Sequence, residues 1–167
     1  MMDAQGSKEE SLTLIEEAAH SYEKNHHGCS RSALKALQDH LNLGNSLIFK
    51  ASTPLAAGIA MRGETCGALL AGLLVVGMVT ASENIEDEEA FNQSMIAGFR
   101  LVRRFEKEFG SITCGELQKR RLGRAFNMAD PDDYREFIKA GGYVECPQLV
   151  GKAARLIAEF IWDFQEI

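Results

Sequence analysis

The chain contains no Cys-x-x-Cys pair, although it has four cysteines, at Cys29, Cys66, Cys114 and Cys146. That absence removes the usual zinc-ribbon, ferredoxin and thioredoxin signatures, and it removes covalent haem attachment through Cys-x-x-Cys-His. Proline is scarce, three residues in 167, so little interrupts helix. Positive charge is in deficit: 18 Lys and Arg against 24 Asp and Glu leave a net charge of −6. Non-specific nucleic-acid binding needs clustered Lys and Arg and is therefore not expected. The opening Met1-Met2-Asp3-Ala4-Gln5-Gly6-Ser7-Lys8-Glu9-Glu10 lacks a basic stretch followed by an apolar run. A secretory signal is not expected, and the cytoplasm is the expected compartment. Thiols stay reduced there unless they serve redox or metal chemistry. No Walker-type phosphate loop is present, and Ser, His and Asp are too scattered to suggest a hydrolytic triad.

Long apolar runs are also rare. One stretch, Thr65 to Ser82, carries no charge. It only just reaches the length of a membrane span, contains three glycines and has acidic residues, Glu64 and Glu83, on both flanks. It reads as a buried central helix, with no membrane span expected.

What is present is helical periodicity, with no convincing alternation of strand type. Leu12, Ile15, Ala19 and Tyr22 mark a helix over 8–24 that breaks at Asn25-His26-His27-Gly28. Ser30 is placed to cap a second helix that stops near Gly44. Residues 45–63 read as a loop with a short helical piece, and Glu64 to Thr80 as a third main helix whose Gly67, Ala68, Ala71 and Gly72 make one side small. Phe91, Met95, Gly98, Val102, Phe105 and Phe109 step by four and three, the seam of a bundle helix. Its first turn is acidic and its second half basic, as the helix dipole favours. Thr113 and Glu116 form an expected capping box for a fifth helix, Asp130-Pro131 starts a sixth, and Cys146-Pro147 opens the last. The expectation is an all-α, single-domain helical bundle with irregular loops, spanning 1–167 with a core of about 8–166.

In this reading each cysteine sits at or near a helix start. Unpaired N–H groups and partial positive charge there favour a thiolate. Arg31, Arg62 and the run Lys119-Arg120-Arg121 could lower the thiol pKa values further, although the run also reads as a solvated face. His26 and His27 are the only nitrogen ligands close in sequence to a cysteine. If the helix starts converge, the site suits a metal, an iron–sulfur cluster or disulfide chemistry. Spacing alone leaves these open beside the plain alternative of four core cysteines.

Specific blocks carry more. His26-His27-Gly28-Cys29, then Gly58-Ile59-Ala60-Met61-Arg62-Gly63-Glu64-Thr65-Cys66-Gly67-Ala68, then Phe105 to Cys114 ending in Phe-Gly-Ser-Ile-Thr-Cys, and Cys146 ahead of a closing helix, are similar to the family of small redox-active proteins named for its cysteine pattern, C_GCAxxG_C_C. The resemblance spans about residues 12–164. One departure follows Cys66, where Ala71 stands at the position of the pattern's glycine and Gly72 comes one residue later. The resemblance implies that Cys29, Cys66, Cys114 and Cys146 act together, as redox thiols or cluster ligands, supported by Arg62, Gly63, Glu64, Thr65, Gly67, Ala68 and Thr113. A similar module is joined to c-type haem domains in some electron-transfer proteins. This favours an iron–sulfur cluster, with two irons, over a metal-free thiol–disulfide protein or a non-catalytic bundle with structural zinc. The implied partner is an electron donor or acceptor; a homodimer is left open.

Overall fold

A computed structural model describes residues 4–165, with side chains described from 8 to 164. Residues 1–3, and the expected core boundary at 166, lie outside the described residues. The fold is all-α, with eight α-helices and no strand among the described residues. They are α1 (Ala4–His26), α2 (Cys29–His40), α3 (Ser46–Ser52), α4 (Gly67–Thr80), α5 (Glu88–Phe109), α6 (Cys114–Leu122), α7 (Pro131–Lys139) and α8 (Gly142–Gln165). A 3₁₀ turn, Thr53–Leu55, follows α3.

Helices α1, α2, α4, α5 and α8 make the bundle. α8 packs along α1, α2 sits against α1, α4 and α8, and α4 lies against α5. The core consists of Ile15, Leu34, Leu37, Leu69, Val75, Leu101, Phe105 and Ile157, all fully buried. Small residues set the closest crossings. A Cβ on Gly72 would come within 2.8 Å of Ile157 and 3.0 Å of Leu101, and one on Gly151 within 2.9 Å of the Glu16 carbonyl. Gly72 thus makes the close approach, while Ala71 beside it is buried with its methyl accommodated. At the rim Arg104 pairs with Glu159 and Asp163, and Arg155 with Glu9 and Glu16.

Local chemistry accounts for the helix boundaries. Asn45 Oδ1 accepts from Leu47 N (3.0 Å) and Ile48 N (3.1 Å), starting the short helix in the expected loop region. Asp87 caps α5 through Ala90 N, and Asp130 caps α7 ahead of Pro131.

Several expected starts move. α2 begins at Cys29 behind Gly28; Ser30 is not a cap but is buried, donating to the Ser52 carbonyl at 2.8 Å. α4 begins at Gly67 rather than Glu64, because Glu64 to Cys66 is extended and pairs with the segment before α6. α8 begins at Gly142, directly after Gly141 with φ +90°, so Pro147 falls inside the helix near its start. There its missing N–H costs one bond in a helix otherwise fixed by packing. Thr113 caps α6, accepting from Glu116 N at 3.4 Å, but the Glu116 carboxylate pairs with Lys119 instead of reaching back. The α5 seam holds only in its second half: Phe105 is buried, while Phe91 and Met95 are 63% and 59% exposed. Among the described residues no helix is long and apolar enough to cross a membrane.

Candidate redox centre: four sulfurs on one pocket

Two of the sequence blocks meet through their backbones. Cys66 N donates to Ile112 O (2.8 Å), Cys114 N to Glu64 O (2.6 Å) and Gly115 N to Gly63 O (2.9 Å). Thr65 and Thr113 face each other in this short antiparallel bridge. Gly63, Glu64, Thr65 and Thr113 therefore act through the main chain, clamping the start of α4 to the start of α6. The Glu64 and Arg62 side chains stay exposed.

A second device brings in Cys29. Chain 57–61 winds left-handed, with φ of +53°, +64°, +49° and +68° at Ala57, Ile59, Ala60 and Met61. Non-glycine residues resist this conformation by about 1–2 kcal/mol each. Cross-loop bonds hold it: Ala60 N to Pro54 O (2.8 Å), Gly63 N to Ala57 O (3.2 Å) and Glu64 N to Gly58 O (3.0 Å). The loop aims the Ala57 N–H at the Cys29 sulfur, and the Gly67 N–H at the start of α4 reaches the same atom. Gly67 must lack a side chain, since a Cβ there would collide with the Cys29 sulfur and approach Ser30 N at 2.9 Å. Ala68 and Leu69 turn their N–H groups to the Cys66 sulfur.

Cys146 comes from α8, one turn in. All four cysteines are free, and all four line one small apolar pocket of about 40 Å³, closed by Leu117, Leu149 and Val150 with Arg121 and Glu145 at its edge. Arg121 is already paired with Glu145 at 3.2 Å. A larger cavity of about 390 Å³ shares Cys29, Cys114 and Cys146 and is otherwise walled by Met61, Met128, Tyr134, Phe137, Tyr143 and Glu23.

Burial works against the thiolate form at all four cysteines. Burial pushes Cys29, Cys66 and Cys114 up to about 12, and negative charge on neighbouring sulfurs adds to it: Cys66 acts on Cys29, Cys114 on Cys66, and Cys29 on Cys114. Cys146 is raised well above its ordinary value by burial first, then by Cys29 and Glu23. The expectation of helix-start thiolates is corrected here. The N–H groups do point at Cys29 and Cys66, but desolvation of a charged sulfur outweighs them. Arg31 and Arg62 line neither the sulfur pocket nor the larger cavity.

Neither histidine lines the sulfur pocket or the larger cavity. His26 is exposed and borders a different groove, with Tyr22, Arg31 and Lys35. His27 stacks on Tyr143 with ring centroids 3.7 Å apart, its Nδ1 2.9 Å from Glu23 O.

Two buried polar residues beside the sulfurs were not singled out from the sequence. Gln118 Nε2 lies 3.7 Å from Cys114 Sγ, while its Oε1 accepts from Phe126 N at 2.8 Å. Its position four residues after Cys114, on the same helix face, was the available signal. Glu23 is 3% exposed, and burial raises its carboxyl pKa. Ser32 lies close enough to favour its ionised form, yet neither Glu23 Oε2 nor Ser32 Oγ has a hydrogen bond. Glu23 continues the four-residue step Ile15–Ala19, which marks it as inward; Tyr22, the expected continuation of that face, is half-buried and bonds Asp39 at 3.1 Å.

Four soft donors on one pocket make a chemically suitable ligand set for iron–sulfur or zinc. As they stand, no group of three or more His, Cys, Asp or Glu among the described residues is arranged to hold a metal ion. The four cysteines line the pocket without forming such a group.

A family model described as "Putative redox-active protein (C_GCAxxG_C_C)" matches residues 27–160. Neither the curated proteins nor the solved structures give a match. The matched span contains all four cysteines, the left-handed loop and the backbone clamp between Cys66 and Cys114, and the chain belongs to the C_GCAxxG_C_C family.

Proposed function

We propose that the protein is a one-electron carrier whose Cys29, Cys66, Cys114 and Cys146 hold an iron–sulfur cluster with two irons. The observation that carries this reading is the convergence of four free sulfurs, from four separate elements, on one small apolar pocket. Thiols pushed up to about 12 are weak nucleophiles at neutral pH, which disfavours their use as exchange thiols. A cation reverses that balance, because its charge offsets the repulsion that keeps neighbouring sulfurs protonated. Zinc asks all four sulfurs to lie about 2.3 Å from one point. A two-iron cluster distributes the same ligands over two centres, which suits four sulfurs that line one pocket without forming a single ion group.

When bound, such a cluster supplies one-electron transfer at a potential set by hydrogen bonds to sulfur and by burial. The chain contributes the N–H groups of Ala57, Gly67, Ala68 and Leu69 toward the ligand sulfurs, and an apolar wall from Leu117, Leu149 and Val150. The cavity lined by Met61, Met128 and Tyr143 gives an electron partner a route to within contact of three ligands.

Purification without oxygen, with absorption spectra and iron and sulfide analysis, tests the proposal. Visible absorption with two iron and two sulfide per chain is expected. A colourless, iron-free protein after anaerobic reconstitution defeats it. Thiol–disulfide cycling is the second reading, favoured because the described residues hold no ready-made ion group. A change in thiol count between oxidant and reductant, in iron-free protein, would select it.

A further inference from the structure

Away from the sulfurs, one surface is unlike the rest of the molecule. The stretch 85–99 exposes Ile85 (99%), Phe91 (63%), Met95 (59%), Ile96 (54%) and Phe99 (63%). Scattered apolar residues on a surface are ordinary, but a run of five large ones along one helix and its approach is not. Helix α4, antiparallel beside it, contains no polar residue before Thr80. A helix apolar on every side is normally covered on every side. Here Leu70, Leu73, Leu74 and Gly77 are left half-buried, and a Cβ at Gly77 would meet open space. The two helices thus present one continuous apolar face.

Charge on α5 indicates what covers it. Glu86, Asp87, Glu88 and Glu89 lie at its N-terminal end, and Arg100, Arg103 and Lys107 in its second half. Arg104 turns inward to Glu159 and Asp163, but Glu88 and Arg103 are exposed and form no ion pair among the described residues. We infer that the α4–α5 face is a homodimer interface in which α5 packs antiparallel on α5 of a second copy. A two-fold axis between Met95 and Ile96 places Glu88 opposite Arg103 of the second copy and Met95 opposite its Ile96. Both ends then join opposite charges, Met95 and Ile96 meet at the centre, and the exposed Phe91 and Phe99 flank them. A parallel pair would set acid against acid and base against base. Two-fold symmetry is satisfied because one patch carries both halves of the complement. The interface is independent of the sulfur chemistry, so its test and that of the cluster fail separately.

Sedimentation equilibrium of the full chain, from about 1 to 200 µM, tests this. Wild type is expected to be dimeric over most of that range. Phe91→Glu and Phe99→Glu are expected to weaken the dimer at least tenfold at unchanged helicity and melting of the monomer, since both side chains are exposed. Glu88→Arg and Arg103→Glu should each weaken it severalfold, and the two together in one chain should restore it. A wild type monomeric throughout overturns the inference, including one that co-sediments with anionic vesicles. So does a dimer indifferent to Phe91→Glu and Phe99→Glu, or a charge pair that shows no rescue.

Discussion

Around the sulfurs the chain departs from regular geometry: four non-glycine residues of the 57–61 loop, and His27 before Cys29, adopt the left-handed region, an extended bridge interrupts the helices, and a carboxyl oxygen is buried without a hydrogen bond. The α4–α5 face is the reverse, two regular helices with no positive φ among their residues, yet with large side chains left in water. At the sulfur end the unfavourable terms are conformational and are offset inside the molecule, by cross-loop hydrogen bonds and N–H groups on sulfur. At the outer face the unfavourable term is solvation, which no internal rearrangement removes. One region is finished by its own chain; the other asks for a surface from outside.

The sharpest way to test that contrast is to compare matching substitutions in one helix. On α5, Phe105→Ala empties a fully buried site and should cost about 3–5 kcal/mol in urea melts. Phe91→Ser, at 63% exposure, should leave monomer stability within about 0.5 kcal/mol. On α4, Gly67→Ala drives a methyl into the Cys29 sulfur and should cost about 3 kcal/mol through overpacking. Anaerobic reconstitution should also show reduced iron uptake in that variant. Equal effects at Gly67 and at an open position would mean the sulfur end is not closely packed.

Alkali probes the same end. Cys29, Cys66 and Cys114 are held at about 12 against an unfolded value near 9. Between those pH values the folded chain keeps protons that the unfolded chain has lost. Stability of the metal-free protein should be complete below pH 9 and fall on the order of several kcal/mol as pH approaches 12. Replacing Cys66 and Cys114 by Ala should flatten that slope. Glu23 is raised too, chiefly by burial, so its contribution is lost as pH rises through its folded value. Glu23→Gln should therefore raise the melting temperature at pH 8 and not at pH 4. A small gain is expected at Gly77→Ala, where a Cβ meets nothing within 4 Å; helix propensity predicts at most about 1 kcal/mol.

Much of this was legible in advance, for identifiable reasons. Asp130-Pro131, Thr113 and the glycines after α5 and α7 act within a few residues, so their boundaries follow from local chemistry. Cys146-Pro147 misled, because proline marks a first turn only where nothing upstream starts the helix; packing of Phe137 against the start of α8 begins it at Gly142. Glu64 and Thr65 misled for a related reason. Their partners, Ile112 to Gly115, lie dozens of residues away, and a backbone bridge leaves no periodicity to read.

The residue pattern alone determined an all-helical bundle, the approximate extent of most helices and the identity of four sulfurs belonging to one family motif. Tertiary structure decided that those sulfurs share a pocket, that burial there raises their pKa values, and that half of the α5 seam faces outward. The reason is physical: helix formation and capping are settled by neighbours in sequence, whereas desolvation, mutual repulsion and exposure depend on which distant segments arrive beside a group.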